Sequence, residues 1–283
     1  MVQILKGKVV ADSIKENMRK NIEVLKLKEK TPTLGIIRLG SDPSDVSYER
    51  SIIKACSAMD IEARVYEREV SMTTEDLVEL MSELNTDESI SGILLFRPLP
   101  KHIDENTIRN SISPDKDVDC MHPLNLEKIF EGNMTGFAPC TPKAAMEILV
   151  YNQVPLEGKS VVVVNRSMVV GKPLVMMLLE KNATVTICHS RTKNLKDVTK
   201  AADVVVTALG KPKYFTKDFF KDDSVVIDVG VSMTEDGKLS GDVDYENVEA
   251  LVSMITPVPG GVGSVTTTIL LNQVVQAALK SID

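Results

Sequence analysis

Ser160-Val161-Val162-Val163-Val164-Asn165-Arg166-Ser167-Met168-Val169-Val170-Gly171-Lys172-Pro173 reads as a strand that hands over to a helix. The run of valines restarts, from Gly158, an alternation of strand and helix, the pattern of a parallel α/β layer. The helix is expected from Gly171 to Lys181. At such a corner an α/β sheet receives a nucleotide phosphate on the helix N-terminus. The turn is not Gly-x-Gly-x-x-Gly, however, and a plain strand-helix corner that needs Gly171 only for close packing would look the same.

The next strand bears on the choice of ligand. Thr184-Val185-Thr186-Ile187-Cys188 runs into His189-Ser190-Arg191, where a site for NAD would usually place Asp or Glu to hold the ribose hydroxyls. A hydroxyl and a guanidinium there, with Arg166 in the first turn, suit a phosphate on the ribose, so NADP is the expected cofactor. The competing reading of Arg191 is a solvated surface charge.

Outward from this corner the alternation continues on both sides. Downstream, strand candidates lie around Val204-Val205-Val206, Val225-Val226-Ile227 and Ser253-Met254-Ile255, and Thr266 to Lys280 reads as a closing helix. Upstream, Val10, Ile14, Met18, Ile22 and Leu25 recur at helical spacing. Leu34 to Leu39, Ile61 to Tyr66 and Ser91 to Phe96 read as strands, with helices from Pro43 to Met59 and from Thr74, a candidate N-cap, to Leu84. Helix and strand in turn give an α/β architecture with both halves doubly wound. The helix opened by Pro139-Cys140-Thr141-Pro142 is expected to link them. The loop Thr256-Pro257-Val258-Pro259-Gly260-Gly261-Val262-Gly263 brings backbone unusually close to a flat ligand, which a bland loop seldom needs.

Composition sets the outer bounds. A chain of 283 residues, 43% hydrophobic and 26% charged, can bury two ordinary cores. Its 33 Lys and Arg against 40 Asp and Glu leave a charge of −7, which attracts neither nucleic acid nor an anionic membrane. No uncharged apolar run reaches the roughly 18 residues of a membrane span, and no secretory pattern opens the chain. Cys56, Cys120, Cys140 and Cys188 are widely separated, and His102, His122 and His189 fall at no metal-ligand spacing beside them. The expectation is a soluble cytoplasmic enzyme acting on a small molecule, with reduced thiols and no metal.

The motifs taken together are specific. Tyr48 with Lys54-Ala55-Cys56, Gly92-Ile93-Leu94-Leu95, Pro98-Leu99-Pro100, Pro114-Asp115-Lys116-Asp117-Val118-Asp119, Pro139-Cys140-Thr141-Pro142, Arg166-Ser167, Val170-Gly171-Lys172-Pro173, Asp228-Val229-Gly230 and the Thr256 to Gly263 loop occur in one order along nearly the whole chain. In these the chain resembles the methylenetetrahydrofolate dehydrogenase/cyclohydrolase family. The resemblance implies a folate-side domain at 1–141 plus 265–283, a Rossmann-type NADP-binding domain at 142–264, a C-terminal helix returning to the first domain, and a homodimer. It also implies that Asp119 grips the pterin and Tyr48 orients the folate, with Pro259, Gly260 and Gly261 beside the substrate. Asn165, Arg166, Ser167, Gly171, Ser190, Arg191, Gly210, Gly230 and Val231 would then hold the cofactor.

The departures from the family pattern matter most. The family helix usually reads Tyr-x-x-x-Lys, and its strand ends Gln-Leu-Pro-Leu-Pro; here the lysine position is Ile52 and the glutamine position is Phe96. Asp45 replaces a serine, Cys120 a glycine and Asn165 a glycine, while Ser264-Val265 replace Pro-Met. Hydride transfer needs alignment of two carbons, whereas hydrolysis of the methenyl cation needs an activated water and a proton relay. Ile52 and Phe96 offer no group for the relay, so the expectation is a dehydrogenase with weak or absent cyclohydrolase. Three alternatives stay open: a bifunctional enzyme in which Arg97 or Lys54 replaces the lysine and Asp45 merely caps its helix, a non-catalytic folate- or nucleotide-binding paralogue, and another NADP dehydrogenase on a similar fold.

Overall fold

We describe residues 2–133, 135–234 and 236–282 of a computed structural model. In chain order the elements are β1 (Gln3–Ile4), α1 (Gly7–Leu27), β2 (Thr33–Leu39), α2 (Pro43–Ser57), β3 (Glu62–Arg68), α3 (Thr74–Thr86), β4 (Gly92–Leu95), α4 (Glu105–Ser111), α5 (Pro123–Phe130) and α6 (Cys140–Tyr151). There follow β5 (Ser160–Val164), α7 (Gly171–Leu179), β6 (Thr184–Cys188), α8 (Leu195–Ala201), β7 (Val204–Thr207), β8 (Val225–Asp228), β9 (Ser232–Met233), β10 (Leu239–Ser240), α9 (Tyr245–Val248), β11 (Met254–Ile255) and α10 (Val262–Lys280). The chain forms two compact units, Met1–Asp12 with Pro139–Thr266, and Ser13–Ala138 with Thr267–Asp283.

The first of these units is built on a six-stranded parallel sheet of order β1-β11-β8-β7-β5-β6. Its central strands are the valine runs, and Val161 to Val164 and Val204 to Val206 are all buried, as strands covered on both faces must be. Phe215, Phe219 and Phe220 pack with Val205, Val226 and Ile255 into one core cluster. From β5 the chain steps outward to β6 and then returns to β7 on the other side, so the ends of β5 and β7 flank a topological switch point, where such sheets bind ligands. The expected division into 1–141 plus 265–283 and 142–264 follows other lines than these compact units at residues 1–12, 139–141 and 265–266. β1 pairs in parallel with β11, Gln3 opposite Met254, and Gly7 N donates to Gly260 O at 2.8 Å. Two residues are too few for any periodicity to show, and that is why β1 was not legible.

The second unit holds a three-stranded parallel sheet of order β3-β2-β4, again with a switch point, here between β2 and β4. α3 lays Leu77, Leu80, Met81 and Leu84 on Ile37, Ile93 and Leu95. Its cap is Thr73 rather than Thr74, in a reciprocal capping box with Asp76. α10 begins four residues earlier than its sequence pattern implied. It belongs to this unit from Thr267, where Gln273 donates to Val118 O (2.7 Å) and Ala138 O (2.9 Å) and accepts from Ala138 N (3.0 Å). Among the described residues α10 is the one helix long and apolar enough to cross a membrane, and it is mostly buried within the fold.

An internal ion pair anchors α2 to β2. Arg38 Nε lies 2.7 Å from Glu49 Oε2, with both side chains buried, while Glu67, itself exposed, approaches Arg38 Nη2 at 3.2 Å. Removing one member of a buried pair strands the other charge, so Glu49→Ala should lower unfolding stability by about 3 kcal/mol in urea denaturation. Glu67→Ala, at the solvent end of the same guanidinium, should change it by about 1 kcal/mol or less.

Candidate active site

Within the Ser13–Ala138 unit the chemistry gathers at the exit of β4. Phe96 N bonds Ile37 O at 3.0 Å and continues the β4 ladder, leaving the Phe96 ring against Tyr48 of α2 with centroids 5.4 Å apart. Ile52, one turn further along α2, is fully buried, and Phe96 is buried too. Tyr48 is 43% exposed. Ile52 and Phe96 are thus both apolar and buried, and Phe96 packs against a tyrosine that stays accessible. Lys54 is exposed. α2 is capped by Asp42, whose Oδ1 accepts Ser44 N at 2.8 Å; Asp45 lies in the first turn, half-buried, and does not serve as the cap.

Arg97 follows Phe96 and turns to Asp119, Nη2 to Oδ2 at 3.3 Å, with Glu105 at 3.9 Å from Nη1. The loop that presents Asp119 is fixed from below. Asp117, 1% exposed, accepts Met121 N (2.7 Å), His122 N (2.8 Å) and Asn125 Nδ2 (2.9 Å). Burial raises the Asp117 carboxyl above its ordinary range, against the lowering effect of those three donors. The loop lies flat on β4: a Cβ on Gly92 would stand 2.5 Å from Val118 Cγ1. Cys120 has φ +57°, a left-handed conformation that favours glycine. Burial pushes its thiol up, so it is no ready nucleophile.

The nucleotide corner of the other unit is held by Asn165. Its Oδ1 accepts Ser167 N (2.8 Å) and Gly171 N (3.1 Å), and its Nδ2 donates to Ala208 O (2.6 Å) across the β5–β7 switch point. Ser167 Oγ accepts Val170 N at 3.0 Å, closing the turn on itself. The turn needs Gly171 on its own account, because a Cβ there would lie 2.1 Å from Asn165 O. Val164 and Cys188 are register partners, so Arg166 and Ser190, each two residues further on, leave neighbouring strands at the same edge of the sheet. Arg166, Ser190 and Arg191 are exposed, and neither arginine has an acidic partner among the described residues. Gly210 (φ +67°) follows β7, and Gly230 follows β8 with the exposed Val231 after it.

The proline-glycine loop serves the fold directly. Gly260 has φ +102°, a Cβ on Gly261 would meet Pro257 O at 2.4 Å, and one on Gly7 would meet Gly261 O at 2.1 Å. Gly261 is thus packed against its own chain, while Pro259 and Gly260 remain exposed.

Comparison with known proteins matches both halves of the chain. Residues 5–119 match the catalytic domain of tetrahydrofolate dehydrogenase/cyclohydrolase, and residues 139–282 match its NAD(P)-binding domain. The chain belongs to the tetrahydrofolate dehydrogenase/cyclohydrolase family. It is 56% identical over 281 residues to the bifunctional protein FolD of Clostridium botulinum, covering 99% of this chain and all of that one. Among solved structures it is similar to the bifunctional FolD of Campylobacter jejuni (TM-score 0.97, 39% identity, 99% of each chain). It is also similar to the Trypanosoma brucei methylenetetrahydrofolate dehydrogenase-cyclohydrolase solved with NADP cofactor and an inhibitor (TM-score 0.93, 32% identity, 99% of this chain and 98% of that one).

For a family member the nucleotide corner fits the phosphorylated form of the dinucleotide. Two exposed guanidinia without acidic partners and a serine at one sheet edge offer charge-assisted hydrogen bonds to a phosphate, and no carboxylate at the end of β6 repels it. Sequence reasoning missed Arg97 as the partner of Asp119, since the two are 22 positions apart. It also missed Asp117 as the residue that shapes the loop, although the spacing Asp117-Val118-Asp119 was in view.

Proposed function

We propose that this protein oxidises methylenetetrahydrofolate to methenyltetrahydrofolate with NADP, and that its hydrolysis of the methenyl product is weak or absent. One observation supports the second half: Ile52 is fully buried and Phe96 packs its ring, tilted, against Tyr48, where a proton relay would need an ammonium and an amide. The dinucleotide, when bound, supplies the hydride acceptor. The chain's part is to bind and align. Asp119 accepts hydrogen bonds from the amino and ring nitrogens of the pterin, and Tyr48 lies along the folate over the Phe96 ring. Oxidation leaves a cationic product; with Ile52 in place of a lysine, and with Asp45 in place of a serine where it faces the site, the surroundings are more negative, which favours that cation and disfavours the approach of hydroxide.

Arg97 is the observation on the side of a bifunctional enzyme, because it is a cation near the folate residues and the curated relatives are named bifunctional. Its guanidinium is already engaged by Asp119 and Glu105 and stays protonated in proteins, so it supplies charge rather than a transferable proton. Measuring NADP-dependent methenyl formation and its subsequent hydrolysis separately tests the proposal. We also carry the homodimer, the functional division at 141/142 and 264/265, and a cytoplasmic location as parts of this reading; light scattering of the purified protein tests the first.

The cofactor assignment yields its own expected result. Arg166→Ala should weaken NADP binding roughly ten- to hundredfold, as loss of a charge-assisted hydrogen bond does, and weaken NAD binding far less. Equal losses in titration calorimetry with the two dinucleotides would refute the role given to Arg166.

A further inference from the structure

Two buried acids take no part in the chemistry above. Asp228 ends β8 and is 3% exposed; Asp242, just beyond β10, is fully buried. Among the described residues neither has a basic partner. Their compensation comes from backbone and one hydroxyl. Asp242 accepts the amides of Leu209 and, at 2.6 Å, Lys211, the residues on either side of Gly210. Asp228 Oδ1 accepts Thr207 Oγ1 (3.0 Å), Gly230 N (3.0 Å) and Asp242 N (3.2 Å), and its Oδ2 accepts Val243 N (2.9 Å).

The packing leaves no slack. A Cβ on Gly230 would stand 2.1 Å from Asp242 Cγ, and one on Gly241 would stand 2.0 Å from Asp228 Oδ2. The loops after β7, β8 and β10 are thereby interlocked, each carboxylate reaching into the loop that the other's neighbours form. Burial pushes the Asp228 carboxyl up to about 6 and raises Asp242 as well, so both charges are held against a desolvation cost. A site that needed only stability would do better with an apolar contact. What the carboxylates add is direction, because each fixes several amides at once in one geometry.

We infer that Asp228 and Asp242 are positioning residues for the dinucleotide, a carboxylate clasp that holds the Gly210 and Gly230 loops in the shape that receives it. The inference rests on the reading of Gly210 and Gly230 as cofactor residues. The role given to each acid is indirect. Each acts through the loop it holds, so its loss should raise Kd and KM for NADP while leaving KM for the folate substrate and kcat at saturating NADP close to those of the unaltered protein.

The test uses the full chain with Asp242→Asn and, as a milder probe, Thr207→Val, which removes one donor to Asp228 without changing shape. NADP binding is followed by titration calorimetry, amide exchange at Leu209 and Lys211 by mass spectrometry, and thermal unfolding in the absence of nucleotide. Asp242→Asn should weaken NADP binding roughly tenfold or more and speed exchange at both amides, with Thr207→Val shifting affinity the same way by a smaller factor. NADP affinity unchanged in the folded variants, with only the melting temperature lowered, would overturn the inference and leave the clasp purely structural. Should Asp242→Asn fail to fold, Thr207→Val decides by the same readout. An unaltered protein that binds no NADP would overturn the cofactor reading itself, and the inference with it.

Discussion

Supplied with methylenetetrahydrofolate and NADP, the purified protein should accumulate methenyltetrahydrofolate, seen by its absorbance, and convert it to the formyl product scarcely faster than buffer does. Ile52→Lys with Phe96→Gln should then raise hydrolysis roughly a hundredfold, the size of effect that a positioned proton-transfer group supplies. Burial is the reason for making both changes. Ile52 is fully buried, so a lysine alone would bury an unpaired ammonium at a cost of several kcal/mol and would shed its proton or unfold the helix. Phe96→Gln replaces the ring against Tyr48 by an amide, the partner that the resemblance pairs with the lysine. Hydrolysis in the unaltered protein at a rate matching its dehydrogenase would refute the proposal, and Arg97→Met would then be the variant that locates the compensating group, since Lys54 is exposed.

Asp119→Ala should reduce kcat/KM for the folate by roughly two to four decades, because two charge-assisted hydrogen bonds of about 1.5–3 kcal/mol each disappear. NADP affinity and the melting temperature should stay near those of the unaltered protein, for the loop is shaped by Asp117 and its three donors rather than by Asp119. The variant leaves Arg97 with Glu105 alone, at 3.9 Å. Folate turnover that survives with ordinary KM would show that the pterin is held elsewhere.

Much of the architecture was legible because its signals are local. The strands at Ser160–Val164, Val204–Thr207 and Val225–Asp228 are runs of β-branched residues whose lack of alternation already implies two covered faces. α2, α3, α6 and α7 announce themselves by Pro, Thr, Gly and apolar spacing, to within a residue or a few at each end. Signals with no local period were invisible: β1 has two residues, and its place is settled only by its partner β11.

For the site, the sequence by itself determined the family and the order of motifs along the chain, and it set the apolar identity of Ile52 and Phe96, because these depend on residue identity at a fixed place in a pattern. Tertiary structure alone decided what those identities mean physically. It buried Ile52, packed Phe96 against Tyr48, joined Arg97 to Asp119 and Arg38 to Glu49, and closed Asp228 and Asp242 around loops that lie up to 33 positions away. Burial, pairing and desolvation are properties of neighbours in space, and an acid in a sequence carries the same charge whether water or two backbone amides will meet it.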